Sequence, residues 1–206
     1  MKIITISREF GSGGRELGKR LADYLGFDYY DSEIIQALSR KSGMDEDYIE
    51  NALSNHGWQN VPVTFRATLS GNVYYQSDRI GLLIQQKQVI EEIAAAGKDC
   101  IIVGRNADVI LAGYHPFNIF VCAEMDAKLR RCMERAPQGE QLSERELIQK
   151  IRHVDRVRAQ TRELVGGPAW GQRSAYHLTI NTSAWTIKAL TQPVAGFAQA
   201  YFGRNN

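Results

Sequence analysis

Residues 2–31 read KIITISREFGSGGRELGKRLADYLGFDYYD. Lys2–Ile6 is a short β-branched apolar run and reads as a buried strand. Arg8–Gly14 is dense in glycine. Leu17, Leu21, Tyr24 and Leu25 then recur at helical spacing, and Gly26 stands where a helix C-terminus favours glycine. Phe27–Tyr30 reads as a second strand. Strand, glycine turn, helix and strand in that order make a βαβ unit.

Working outward, Ser32–Ser42 and Asp45–Leu53 read as two short helices separated by Gly43. Residues 55–77 show no sustained period and read as a loop with short helical pieces. Asp78–Ala96 reads as a helix with a stripe of Ile80, Leu83, Ile84, Ile90, Ile93 and Ala94. Cys100–Val103 and Phe117–Cys122 read as strands, and Asp126–Arg135 as a basic helix. Ser143 with Glu146 forms a capping box for a long helix whose apolar face is Leu147, Ile151 and Val154. Gly166-Gly167-Pro168 breaks that helix. His177–Asn181 is the last strand, followed by a helix to about Tyr201 in which Pro193 should force a kink or restart. Five strands alternating with helices predict an α/β fold with a parallel sheet covered on both faces. In such a sheet the turns at Ser7–Gly14, Asp31, Gly104–Asn106 and Asn181–Ser183 all follow strands. They should gather on the ligand-binding edge.

The 206 residues suffice for one full core, and a net charge of +2 gives no case for a nucleic-acid or membrane partner. Cys100, Cys122 and Cys132 lack metal-ligand spacing and read as small packing residues of a reducing compartment. No signal peptide and no membrane-length apolar stretch is read, so the expected location is the cytoplasm. The four histidines have no partner pattern, and no catalysis is assigned to them.

The glycine turn carries the chemistry. Between a strand and a helix, Gly11, Gly13 and Gly14 let backbone N–H groups approach an anion, and the helix N-terminus adds its dipole. A glycine turn without a ligand is the alternative, and phosphate binding is the reading preferred.

This stretch resembles the P-loop kinases, specifically the cytidylate-kinase-like family. The likeness continues through GKDCIIVGRNADVIL, VDRVRAQTREL and WGQRSAYHLTINTS. The resemblance implies one P-loop kinase domain over 1–206, with an acceptor-binding insertion at about 32–97 and a lid at about 155–168. It implies ATP and Mg²⁺ as cofactors and a nucleoside monophosphate such as CMP as acceptor.

The usual phosphate loop is GxxxxGK[ST], with lysine on the phosphates and the hydroxyl on magnesium. Aligning the following helix puts Arg8 at the first glycine, Gly14 at the lysine and Arg15 at the hydroxyl. Arg15 could restore the lost charge, with Arg8 a second candidate, since guanidinium forks onto phosphate oxygens. Arg15 could also be an ordinary surface residue. Ser12 is the nearest hydroxyl for the metal. Arg105 in the Gly104-Arg105-Asn106 turn would hold the acceptor phosphate, or form a salt bridge at a turn. Asn106 stands where related kinases have an acid. Asp31 could position the acceptor, reach magnesium through water, or cap the next helix. Arg158 and Arg162, beside Asp155 and Arg156, would close over the phosphates as transition-state stabilisers, or belong to a solvated charged helix. Lys87 or Gln88 could touch the acceptor base, and Trp170 would anchor the lid end in the core. Two rivals stay open: a non-catalytic nucleotide sensor, and a kinase for a different small acceptor.

Overall fold

The computed structural model describes residues 1–53, 69–136 and 142–204, with the backbone alone for 51 and 69–79. The chain divides into two compact units, residues 1–31 with 97–206, and residues 32–96.

The first unit holds a five-stranded sheet in the order β2-β3-β1-β4-β5, every pairing parallel. Its strands are β1 (Ile3–Arg8), β2 (Asp28–Tyr30), β3 (Cys100–Val103), β4 (Phe117–Cys122) and β5 (Leu178–Asn181). Both faces are apolar, as parallel strands require. Ile4, Ile6, Ile101, Val103, Ile119 and Val121 pack with Leu17 and Leu21 of α1 (Gly14–Leu25) and with Leu190, Val194 and Ala198 of α8 (Ile187–Gly203). On the other face α5 (Ala107–Ile110) contacts β1. There Trp170 meets Phe120 edge to face at 5.3 Å, and Tyr176 lies 4.9 Å from the same ring. Trp170 thus anchors the chain after the Gly166-Gly167-Pro168 break. Of the helical face read for α1, Tyr24 points to solvent.

Because all strands are parallel, the turns after Arg8, Tyr30, Val103, Cys122 and Asn181 lie on one edge. The strand order reverses direction at β1, so the glycine turn sits at the switch point where open α/β sheets bind ligands. Beyond β4, α6 (Met125–Glu134) contacts α7 (Glu144–Leu164). The capping box is formed: Glu146 N–H donates to Ser143 Oγ at 3.3 Å, and Ser143 N–H donates to the Glu146 carboxylate at 2.9 Å. Leu147, Ile151 and Val157 form the buried face of α7, with Leu147 and Ile151 against Leu129.

The second unit contains α2 (Glu33–Ser42), α3 (Glu46–Leu53) and α4 (Leu69–Ala95), which contact one another. Lys41 bridges α2 to Glu92 of α4 at 2.5 Å. Two expectations need correction here. Residues 69–77, read as part of a loop, are helical, while 55–68 lie outside the described residues. The buried stripe of α4 is Leu82, Gln86, Val89, Ile90 and Ala94, with Ile80 and Ile84 exposed. Gln86 occupies a core position at helical spacing from Leu82 and Ile90, so a polarity-based reading set the wrong phase.

Of the kink or restart expected at Pro193, the restart does not occur: helix α8 runs through it, with Leu190, Val194, Ala195 and Ala198 buried on both sides. Packing outweighs the lost hydrogen bond.

Gly13 caps α1 in the left-handed region at φ 84°, and a Cβ there would overlap Ile187 of α8, 2.8 Å from its Cγ1. Gly13→Ala is expected to cost about 1–3 kcal/mol, the range for a non-glycine residue held in that region. Urea denaturation checks this.

Candidate phosphate-binding site

The glycine turn is held from below. Glu9 N–H donates to Val121 O at 2.9 Å, and Ser12 Oγ donates back to Glu9 O at 2.8 Å. Thr182 Oγ1 donates to Ser12 O at 2.7 Å. Arg131 of α6 donates to Thr182 Oγ1 at 3.0 Å and to Thr182 O at 2.6 Å. With the loop so fixed, the N–H groups of Gly11, Gly13, Gly14 and Arg15 enter no hydrogen bond within the described residues. They belong to the loop and first turn of α1, where helix geometry leaves donors for a ligand.

These amides open on a cavity of about 800 Å³, within the size range of small-molecule sites. Among the described residues its lining carries six cationic side chains, Arg8, Arg15, Arg131, Arg135, Lys150 and Arg158, against one acid, Glu9. Phe10, Met133, Ala136, Leu142 and Leu147 make the apolar remainder. Such a cavity suits a molecule with a polyanionic end and a flat, uncharged end.

Three guanidinium groups, of Arg8, Arg15 and Arg158, line the cavity near the end of β1, and a fourth, of Arg105, lies near them. Arg8, only 12% exposed, lies 3.5 Å from Asp31 at the end of β2. Arg15, 67% exposed, pairs with the same carboxylate. Arg158 of α7 donates to Arg8 O at 2.9 Å and to Asp155 at 3.2 Å. Arg105 is near enough for its charge to act on both Arg8 and Arg158. Burial, then the charge of Arg158, lower the Arg8 guanidinium to about 9 despite Asp31. Burial likewise lowers Arg158, with Asp155 opposing. At about 9 Arg8 stays charged at neutral pH, and it sits among like charges that a bound anion would relieve.

The turn that carries Arg105 is contorted. Gly104, Arg105 and Asn106 have successive φ values of 74°, 57° and 55°. For arginine this conformation costs about 1–3 kcal/mol, a kind of strain that clusters at functional sites. Gly104 is obligatory for a second reason: a Cβ there would overlap the Arg8 guanidinium, 2.7 Å from its Cζ.

The structure therefore brings Arg8, Gly11, Gly13, Gly14, Arg15 and Arg158 to one cavity, with Asp31 beneath the arginines. Ser32 holds the N-cap position of α2. Four candidates do not line it: Arg105 and Asn106, in the turn after β3, and Ser12 and Arg162. Ser12 is fully buried with its hydroxyl spent on Glu9 O, so the loop's hydroxyl does not face the phosphate position. Arg162 is 1% exposed and is not part of the cavity wall. Its guanidinium pairs with Asp108 of α5 at 2.7 Å and donates to Pro168 O at 2.6 Å.

Residues not anticipated from the sequence include Glu9, Lys128, Arg131 and Thr182. Their partners are far apart in sequence, and only the placement of Thr182 in the Asn181–Ser183 turn offered a signal. His177 is structural, accepting Asn118 N–H through Nδ1 at 2.9 Å and stacking on Phe117.

The sequence of the cytidylate kinase-like family matches residues 3–184. The chain belongs to that family. No curated protein matches it. Among solved structures, it is similar to an uncharacterised protein from Eubacterium ventriosum at 21% identity, covering 97% of this chain and 99% of that one, with a TM-score of 0.68. It is also similar to the shikimate kinase of Acinetobacter baumannii, in complex with shikimate, at 16% identity, covering 98% and 94%, with a TM-score of 0.56. The shikimate kinase of Bacteroides thetaiotaomicron gives 14% identity, 96% and 98% coverage, and a TM-score of 0.56. At these identities the likeness concerns the fold, that of P-loop kinases. No helix among the described residues of this family member is long and apolar enough to cross a membrane.

Proposed function

We propose that this protein transfers the γ-phosphoryl group of ATP to a small acceptor, a nucleoside monophosphate such as CMP being the favoured one. The observation that carries this reading is the set of unbonded loop amides facing the same cavity as Arg8, Arg15 and Arg158. Membership of a kinase-like family supports it.

In this reading the amides of Gly11, Gly13, Gly14 and Arg15 and the Arg15 guanidinium hold the donor phosphates. Arg105, and the Asn106 beside it, face the acceptor phosphate. An acceptor phosphate oxygen forms a bond to the γ-phosphorus as the bond to the β–γ bridging oxygen breaks, leaving ADP with the electron pair. Charge spreads over the equatorial oxygens in such a transfer, and catalysis consists of positioning and neutralising it. Arg8 and Arg158 supply that positive charge from fixed positions, which lowers the barrier because no reorganisation is needed.

The family also implies a magnesium ion. Among the described residues the candidate donors do not fit one held by protein ligands: the loop hydroxyl is replaced by Arg15, Ser12 is buried and engaged, and Asp31 is committed to two arginines. Among the described residues no group of three or more His, Cys, Asp or Glu could hold a metal. Arginines carry the neutralising role instead.

The test is ATP turnover against a panel of nucleoside monophosphates and small alcohols. Conversion of CMP to its diphosphate is expected. Nucleotide binding without transfer to any acceptor would establish a sensor, the reading that the missing loop lysine otherwise favours.

A further inference from the structure

Lys128 of α6 lies directly behind the phosphate loop and is only 7% exposed at its side chain. Its ammonium sits 2.6 Å from the Glu9 carboxylate and 3.5 Å from that of Asp155. Glu9 belongs to the loop and also accepts the N–H of Ala123, at the end of β4, at 3.1 Å. Asp155 belongs to α7 and accepts the N–H of Phe10, again in the loop, at 2.7 Å. The same Asp155 oxygen takes Arg158 at 3.2 Å, and Arg158 donates to Arg8 O. Three consecutive loop residues, 8, 9 and 10, are thus bound to one network of two acids and two cations.

Lys128 does not line the phosphate cavity, whereas Arg158 does. Arg158 can turn toward a phosphate only by loosening its hold on Asp155. A half-buried carboxylate deserted by its cation is costly. Lys128 and the Phe10 N–H remain on Asp155 and remove that cost.

Resting on the phosphate-site reading above, we propose that Lys128 is a positioning residue that frees Arg158 for the bound polyphosphate by holding Asp155 in its place. Without Lys128, Asp155 has Arg158 as its sole cation among the described residues, and the arginine is retained away from the phosphates. The lysine missing from the loop is therefore not restored by Lys128 itself, whose charge is spent on two acids. Lys128 acts through the arginine.

The experiment is a mutant cycle on the full chain, read by calorimetric binding of inorganic tripolyphosphate and, in parallel, by turnover. Lys128→Met alone leaves Glu9 and Asp155 facing each other and can fail to fold. The working background is therefore Lys128→Met with Glu9→Gln, which removes one acid with the cation and leaves Asp155 paired to Arg158. That background is expected to bind tripolyphosphate about tenfold more weakly than wild type, the scale of one charged hydrogen bond. Adding Arg158→Ala should cost about tenfold in wild type and nearly nothing in the background, since neighbours in one network are non-additive. A Glu9→Gln single variant retaining the full Arg158 effect assigns the loss to Lys128. Equal Arg158→Ala effects in both backgrounds would overturn the proposal, as would a background that binds like wild type. Coupling in tripolyphosphate affinity without transfer to any acceptor would leave the positioning role standing and remove the kinase reading. No binding by the wild-type protein would remove both.

Discussion

Arg8→Ala is expected to lower phosphoryl transfer by about 10²–10³-fold, the scale of removing one preorganised electrostatic stabiliser. Arg8 has the most central position of the four guanidinium groups. It rests against Asp31, its side chain covers Gly104, and it feels the charges of Arg15, Arg105 and Arg158. Arg15 is the nearer match to the usual loop by alignment, yet it is largely exposed and free to change rotamer. A fixed charge contributes more to a transition state than a mobile one, because its ordering has been completed in folding. Thermal stability of the Arg8→Ala variant should be unchanged or raised, since a buried cation among like charges is removed while Asp31 keeps Arg15. Arg8→Lys should recover only part of the rate, because an ammonium cannot fork onto two phosphate oxygens. Steady-state kinetics beside thermal melts decide the matter: a rate loss tracking a stability loss would contradict a catalytic role.

The order of strands and helices was legible because apolar runs of β-branched residues alternate with helical stripes, and glycines stand at the junctions. The glycine turn after β1 was legible for the same reason, its glycines being required by φ values of 75° at Gly11 and 84° at Gly13. Burial was not legible. Ser12 looked like a loop hydroxyl, but the turn directs it inward to Glu9 O. Gln86 was absent from the apolar stripe read for its helix and lies in the buried stripe of α4. Lys128 looked like one more charge on a basic helix, and its partners Glu9 and Asp155 come from the loop and α7. Such pairings depend on which elements meet, and local pattern does not encode that. The Gly104-Arg105-Asn106 turn shows the converse: its residue types pointed to a site, and its left-handed backbone supplies a conformational reason for Gly104.

Arg162→Ala is expected to destabilise the protein by about 3–5 kcal/mol, the cost of breaking a buried ion pair from one side. The guanidinium bridges α7 to Asp108 of α5 and to Pro168 O, and stacks over Tyr176 at 5.5 Å. Removing it leaves the Asp108 carboxylate, itself buried, without its cation. It also frees the chain after α7, where a Cβ on Gly167 would already sit 3.3 Å from the Arg162 side chain. For a domain of this length the loss corresponds to roughly 6–20 °C in Tm, at about 2–4 °C per kcal/mol. The companion variant Asp108→Asn should cost less, because it removes the buried charge while keeping an acceptor for Arg162. The pair separates a structural tether from a lid arginine that acts on the phosphates. A tether predicts a large fall in Tm for Arg162→Ala with the surviving folded fraction binding ATP normally. A transition-state arginine predicts a normal melt with kcat down by about 10²-fold. The burial of Arg162 and its absence from the cavity wall favour the first outcome, and a normal melt would reverse that assignment.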